Sequence, residues 1–324
     1  MTSFEDDSHK EGISWTYKGY NGYSPIMAYL GNYALKFDLS PGSQHSENGA
    51  IEFLEKCFDM IEKIGIPLEQ ILVRVDSWHD DSKFMNFCEK KGVKCIVKRN
   101  LRGKDNFIAG KVMENTSPVY DDNKPECRTY HYVDSNCHPP KSEYDSIITV
   151  YKVETKMKDS NNQDWLVGPL YQTQEVEGYW TNLNLAGEDG SIDMNKRVSD
   201  IVDLYHKHAE SEQYHSEVKT DMDLELLPSK YFATNAIFLQ LAVIAFNLLR
   251  EIGKIALSID NNLQHRKSRR VKRIRLKTVI NKLCAISSRV VTHARDMVLQ
   301  FGTNFFLFST FYKVFEVTLR SRHS

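Results

Sequence analysis

Apolar positions in the first hundred residues recur at two periods, and the switches between them mark out elements. SPIMAYLG and YALKFDL, between Ser24 and Leu39, predict two short strands. The Gly- and Tyr-rich TYKGYNGY leads into them, and PGSQHSENG turns the chain away. Ile51, Leu54, Phe58 and Ile61 then fall at helical spacing, and Gly65–Pro67 stops that helix. QILVRV is a branched apolar run ending at Asp76, SKFMNFCEKKG a helix closed by Gly92, and KCIVKR a second buried strand. Strands alternating with helices predict an α/β core around a mixed sheet.

From about Asn106 to Ala186 helical periodicity fades. SIITVYKVET, DWLVGPLYQ and VEGYWTNLNL predict a β-rich insertion, jointed by CHPPKSEYD and KDSNNQD. Helical spacing resumes near Lys196 and continues, with breaks at Pro228 and near Asn261, into long C-terminal helices. Residues 1–105, 106–190, 191–260 and 261–324 are thus four expected segments: first part of the core, insertion, core completion and a basic helical region. Ala236–Leu249 is the most apolar stretch, but Gln240 and Asn247 interrupt it and Arg250 closes it. It falls short of the ~20 apolar residues of a bilayer span, so the expectation is a buried core helix and no membrane. MTSFEDDSHKEG is polar and acidic, unlike a signal peptide.

Composition changes this picture at one place. The chain of 324 residues is 41% hydrophobic and 26% charged, which excludes disordered and collagen-like classes, and its length suits about two domains. Its net charge of −1 conceals 11 Lys/Arg and no Asp/Glu between Asn261 and Arg295, leaving −12 on the remainder. That segment, HRKSRRVKRIRLKTVINKL, has apolar residues for a helix and cations too dense for one narrow face. A surface wrapping phosphates is the favoured reading, with a solvated linker as the bland one. Arg266, Lys267, Arg269, Arg270, Lys272 and Arg273 are its expected DNA contacts. The six cysteines contain no CxxC pair, which fits free thiols in a reducing compartment. Cys127, His131, Cys137 and His138 lack the close ligand pairing of a structural zinc site.

Two acids carry candidate chemistry. Asp76 closes the QILVRV run, where α/β sheets collect functional groups, although a cap for the next turn suits the same spot. Tyr205, His208, Glu212, His215 and Lys219 recur at intervals of 3, 4, 3 and 4, which on one helix would stack them along one face. A solvated face is the bland alternative. Mg²⁺ takes oxygen ligands from one or two carboxylates plus substrate phosphates, and phosphodiester enzymes hold two such ions.

VRVDSWHD with CEKKGVKCIVKRNLR, GYWTNLN and YHKHAESEQYHSEVK resembles the DDE transposases of bacterial insertion sequences, in the branch with a Y-x2-R-x3-E-x6-K signature. Here that signature becomes Tyr205, His208, Glu212 and Lys219, and the resemblance runs over nearly the whole chain. It implies an RNase H-like catalytic core, a β-rich insertion between the second and third acids, and C-terminal helices. It implies that Asp76 and Glu212 are those two acids and bind two Mg²⁺ ions, for which Mn²⁺ can substitute. Expected DNA contacts are Tyr205, His208 and Lys219, with Lys98 and Arg99 after the KCIVKR strand. Trp180 is the candidate to hold a flipped base, packing in a strand being the alternative. The implied reaction is cleavage of double-stranded DNA at transposon ends and transfer to a target, by a homodimer in a bacterial cytoplasm, at the nucleoid. Two departures stand out. His208 replaces a permanent bidentate clamp by a group mostly neutral near pH 7. The family's first catalytic aspartate lies upstream of MTSFEDD, so the expectation includes a truncated, inactive copy that binds DNA or forms mixed dimers. A host nuclease with the same core is a weaker alternative.

Overall fold

The computed structural model describes residues 3–43, 49–124, 126–159, 170–184, 193–207, 209–260, 273–293, 296–302 and 307–320. The chain forms two compact units: residues 45–210, and a second made of 2–44 with 211–324.

The second unit begins with short strands β1 (Phe4–Glu5), β2 (Ser14–Trp15) and β3 (Asn21–Tyr23), in the order β1-β3-β2. The two strands expected from SPIMAYLG and YALKFDL form the antiparallel hairpin β4 (Ile26–Leu30) and β5 (Tyr33–Asp38).

The first unit is built on one mixed sheet. Its leading helix α1 (Ala50–Lys63) buries Phe58 and Ile61 as the spacing predicts, but Ile51 and Leu54 are only half-buried and Phe53 and Cys57 complete the buried face instead. β6 (Leu72–Val75), α2 (Ser82–Lys90) and β7 (Lys94–Lys98) follow, with β6 and β7 parallel. Helix α3 (Asp105–Asn115) comes next and corrects the expectation of a segment with little helix; only Ile108, Ala109 and Val112 are buried, so its periodic signal is short. β8 (Val119–Tyr120), β9 (Cys127–Asp134), β10 (Ile148–Asp159) and β11 (Leu170–Thr181) then extend the sheet to the order β6-β7-β11-β10-β9-β8. The predicted strands SIITVYKVET and VEGYWTNLNL thus continue the sheet that leads to Asp76, whereas most of DWLVGPLYQ lies outside the described residues. Side chains alternate between its faces. Val150 and Tyr179 pack with Ile96 against Val198, Ile201 and Val202 of α4 (Met194–His206). Tyr151 and Val153 face the other way, onto Ile108 and Val112 of α3. Asn182 fixes the seam between β11 and β7, accepting from the Cys95 N–H at 2.8 Å and donating to the Val93 carbonyl at 2.9 Å.

Beyond α4 the chain returns to the second unit through α5 (Ala209–Ser216) and a π-helical turn at Glu217–Asp221. Helix α6 (Phe232–Ile259) lies on β5, and Asn247 clamps both the N–H and the carbonyl of Ala34 at 2.8 Å. Phe4, Tyr23, Phe37, Tyr214, Leu239 and Phe246 fill this core, so the N-terminal forty residues pack with the C-terminal third. Two expectations fail here. α6 is longer than the apolar run suggested, long and apolar enough to cross a bilayer, and it is not buried all round: Ile237, Leu241, Ile244 and Leu248 are exposed. The C-terminal region is not wholly helical either. After the short α7 (Leu276–Val279) and a π-helical turn at Ile280–Cys284, an antiparallel hairpin forms from β12 (Ser288–His293) and β13 (Asp296–Phe301). Its branched residues Val290, Val291, Thr292 and Val298 suit strands. Helix α8 (Phe308–Arg320) follows.

Candidate active site

Asp76 follows β6 directly. Its backbone is extended (φ −74°, ψ 175°) and its carboxylate accepts the Trp78 N–H at 3.3 Å, capping a 3-10 turn at Ser77–His79. Functional acid and cap, set out as alternatives for this position, are therefore compatible in one residue. Burial works against its charge, but neighbouring positive charge, His79 included, and the Trp78 N–H outweigh it and hold the carboxyl below the ordinary carboxylate range. Asp76 is thus a carboxylate at a sheet end.

Beside it lies an anchor that sequence reasoning missed. Asp80 accepts from the Trp180 indole N–H at 2.6 Å and from the Asn100 N–H at 2.8 Å. The Arg99 guanidinium covers the Trp180 ring at 4.3 Å, donates to the Tyr151 hydroxyl, and reaches the Cys137 Sγ at 3.5 Å. Trp180 is 2% exposed. It therefore offers no face to an extruded base, which corrects its expected stacking role: the ring belongs to the support of the loop after β6. Arg99 keeps a half-buried position with its charge shared between aromatic rings, and Lys98 sits opposite Tyr179 at the end of β7. The only signal for Asp80 was the repeated acid in DSWHDD.

The helix expected from Tyr205 to Lys219 is interrupted among the described residues. α4 ends at His206 with a turn at Lys207, α5 starts at Ala209, and the winding widens to π at Glu217. Tyr205 is buried against Tyr179, with ring centroids 4.7 Å apart, which corrects its placement as a DNA contact. His208 lies outside the described residues, as do Arg266, Lys267, Arg269, Arg270 and Lys272. Glu212 is exposed on α5. His215 packs its ring edge-on to Tyr29. Lys219 is bound by the Glu225 carboxylate at 2.6 Å and donates to the Ser3 carbonyl at 2.9 Å, so its charge is already partly answered.

A buried ion triad underlies this stretch. Glu217, 1% exposed, receives the Arg250 guanidinium and, at 2.7 Å, that of Arg273. Arg273, expected on DNA, is instead bound to Glu217 and to Gln213 at 2.7 Å. A lone arginine closing the apolar run of α6 was the available signal for the triad. Asp6 is engaged as well, by Lys10 at 2.6 Å and by Ser8. Burial opposes its charge and the Lys10 ammonium more than compensates, so its pKa lies below the usual value.

Asp76 belongs to the first unit and Glu212 to the second. Among the described residues no group of three or more His, Cys, Asp or Glu is gathered to hold a metal. Both acids nonetheless offer the hard carboxylate oxygens that Mg²⁺ requires. Comparison with curated proteins finds no match. The family model described as transposase DDE domain group 1 matches residues 5–323. Nearly the whole chain is covered, and the protein belongs to the transposase DDE domain family.

Proposed function

We propose that this transposase cleaves double-stranded DNA at the ends of a bacterial insertion sequence and joins the freed 3′-hydroxyl to target DNA. Asp76 and Glu212 would hold Mg²⁺, or Mn²⁺ in its place, on an RNase H-like core. The observation that carries the reading is the ionised Asp76 closing β6 in a chain of this family. When bound, the ions supply positive charge at the attacking and leaving oxygens of the phosphodiester.

The chain's own residues do the rest. In the first step water attacks phosphorus, and the bond to the 3′-oxygen breaks to leave a 3′-hydroxyl; in the second, that 3′-hydroxyl attacks a target phosphorus and displaces the target strand's own 3′-oxygen, which leaves as a hydroxyl with the proton the attacker gives up. The buried Trp180–Asp80 bond holds the loop that carries Asp76. Lys98, His208, Lys219 and the cations Arg266, Lys267, Arg269, Arg270 and Lys272 would neutralise DNA phosphates, positioning the duplex without reading its bases. Two copies, one for each DNA end, would act together at the nucleoid.

One observation favours a second reading, a copy that binds DNA or pairs with active copies but does not turn over: Asp6 is committed to Lys10 and supplies no further free carboxylate. Incubating the chain with end-containing duplex DNA and Mg²⁺ separates the two. Strand cleavage that is lost in Asp76→Ala and in Glu212→Ala supports the first. DNA binding without cleavage supports the second, and full cleavage by either variant eliminates the assignment of that acid.

A further inference from the structure

The cation-rich segment runs into Arg273, Ile274 and Arg275, an extended stretch that leads directly into α7. Side chains alternate along extended backbone. Ile274 is buried in the apolar cluster of Ala256, Val279, Leu283 and Val314, and its carbonyl accepts from Arg250 at 3.3 Å. The two arginines on either side of it reach α5 and the π-helical turn instead. Arg273 donates to the Gln213 side-chain oxygen and to Glu217, each at 2.7 Å, with its guanidinium 4.8 Å from the centre of the Tyr214 ring. Arg275 spreads its fork over Asp221 at 2.9 Å, Ser216 at 3.2 Å and Thr220 at 3.3 Å.

What this stretch grips is the element that carries Glu212. Gln213 is the next residue in the chain, and Ser216, one turn on, shares the face of Glu212. A helix of eight residues is too short to hold its shape alone in water, so its placement depends on what it touches. Among the described side chains of α5 only Tyr214 is buried, its hydroxyl donating to Asn32 at 2.6 Å. The bonds from the two arginines are charge-assisted and flank Glu212 on its C-terminal side.

We propose that Arg273 and Arg275 are positioning residues for Glu212, a strap that fixes the helix presenting its carboxylate. The role rests on the reading of Glu212 as a Mg²⁺ ligand. The double variant Arg273→Lys/Arg275→Lys leaves a cation for each buried carboxylate but loses the fork that spans two partners. In hydrogen exchange on the full chain without metal, peptides covering α5 should exchange about 10-fold faster while the buried stretch of α6 keeps its rate. Calorimetric titration should show Mg²⁺ bound about 10-fold more weakly, with no further loss when Glu212 is already replaced in Glu212→Gln. Ser216→Ala cuts one strap contact without touching either buried carboxylate, and should move both readouts the same way by about 3-fold. Unchanged exchange of α5 in both variants overturns the proposal. So does faster exchange with wild-type Mg²⁺ affinity, which a merely structural strap would give, or a loss that adds to that of Glu212→Gln. A wild type that takes up no Mg²⁺ fails the metal reading of Glu212 itself, and the role falls with it.

Discussion

Glu217 joins two arginines in a buried triad, and the cost of removing it can be worked from the structure. The side chain is almost wholly buried and neutralises Arg250, which is itself buried, and Arg273, which is partly exposed. In Glu217→Ala, Arg273 can rehydrate. Arg250 cannot, and keeps only the Ile274 carbonyl at 3.3 Å and the faces of Tyr214 and Phe246, none of which carries a neutralising charge. An uncompensated buried charge costs about 3–5 kcal/mol. At roughly 2–4 °C per kcal/mol for units of this size, melting of the second unit should fall by about 6–20 °C. The double variant Glu217→Met with Arg250→Met removes both charges and should recover most of that loss, since paired burial contributes little net stability over an apolar replacement. Thermal melting by circular dichroism reads both. A Glu217→Ala protein melting within about 2 °C of wild type would refute the reasoning, as would a double variant less stable than the single one.

Other consequences are equally direct. Trp180→Ala should cost roughly 3–5 kcal/mol by emptying a packed site, and Trp180→Phe about 1–2 kcal/mol by removing one of the two hydrogen bonds to Asp80, which keeps the Asn100 N–H; wild-type melting in the alanine variant would show that the ring is not packed. His131 is buried on β9, and burial, aided by Lys152, lowers its pKa below 6.5 despite Asp203. The fold therefore favours the neutral ring. That contribution is complete above pH 6.5 and is lost as pH falls below it, where the unfolded chain takes up a proton the folded chain resists. Melting temperature should drop between pH 7 and 5, less so in His131→Gln, and an identical pH profile in that variant would contradict the assignment. Lys219→Met should weaken DNA binding only modestly, because Glu225 already answers that charge; loss of all binding in a filter assay would reverse this view.

The strands and helices of the first hundred residues were legible because each carries its own period. β4, β5, α1, β6, α2 and β7 all lie where the apolar spacing put them. Helix α3 was missed because too few of its positions are buried to print a pattern. The hairpin β12–β13 was missed because the dense cations before it drew the eye to a helix, while Val290, Val291 and Thr292 carried the opposing local preference. The Tyr205–Lys219 stripe shows the limit of spacing arguments. A period of 3.6 extrapolates only through an unbroken helix, and the turn at Lys207 and the π-helical winding at Glu217 break it. Trp180 and Tyr205 were visible as aromatic residues within the family motifs, but burial depends on partners distant in sequence. Asp80 and Gly178 illustrate this. Gly178 leaves room for Tyr151 and Leu101, where an added Cβ would approach to 3.0–3.2 Å.

The central claim is that Asp76 and Glu212 bind the same divalent ions. Calorimetric titration of Mg²⁺ into the full chain, repeated with Asp76→Asn, Glu212→Gln and the double variant, measures this most directly. Sharing predicts that each single change removes most of the binding and that the double change adds little further loss. Undiminished affinity in either single variant, or losses that simply add, would contradict it.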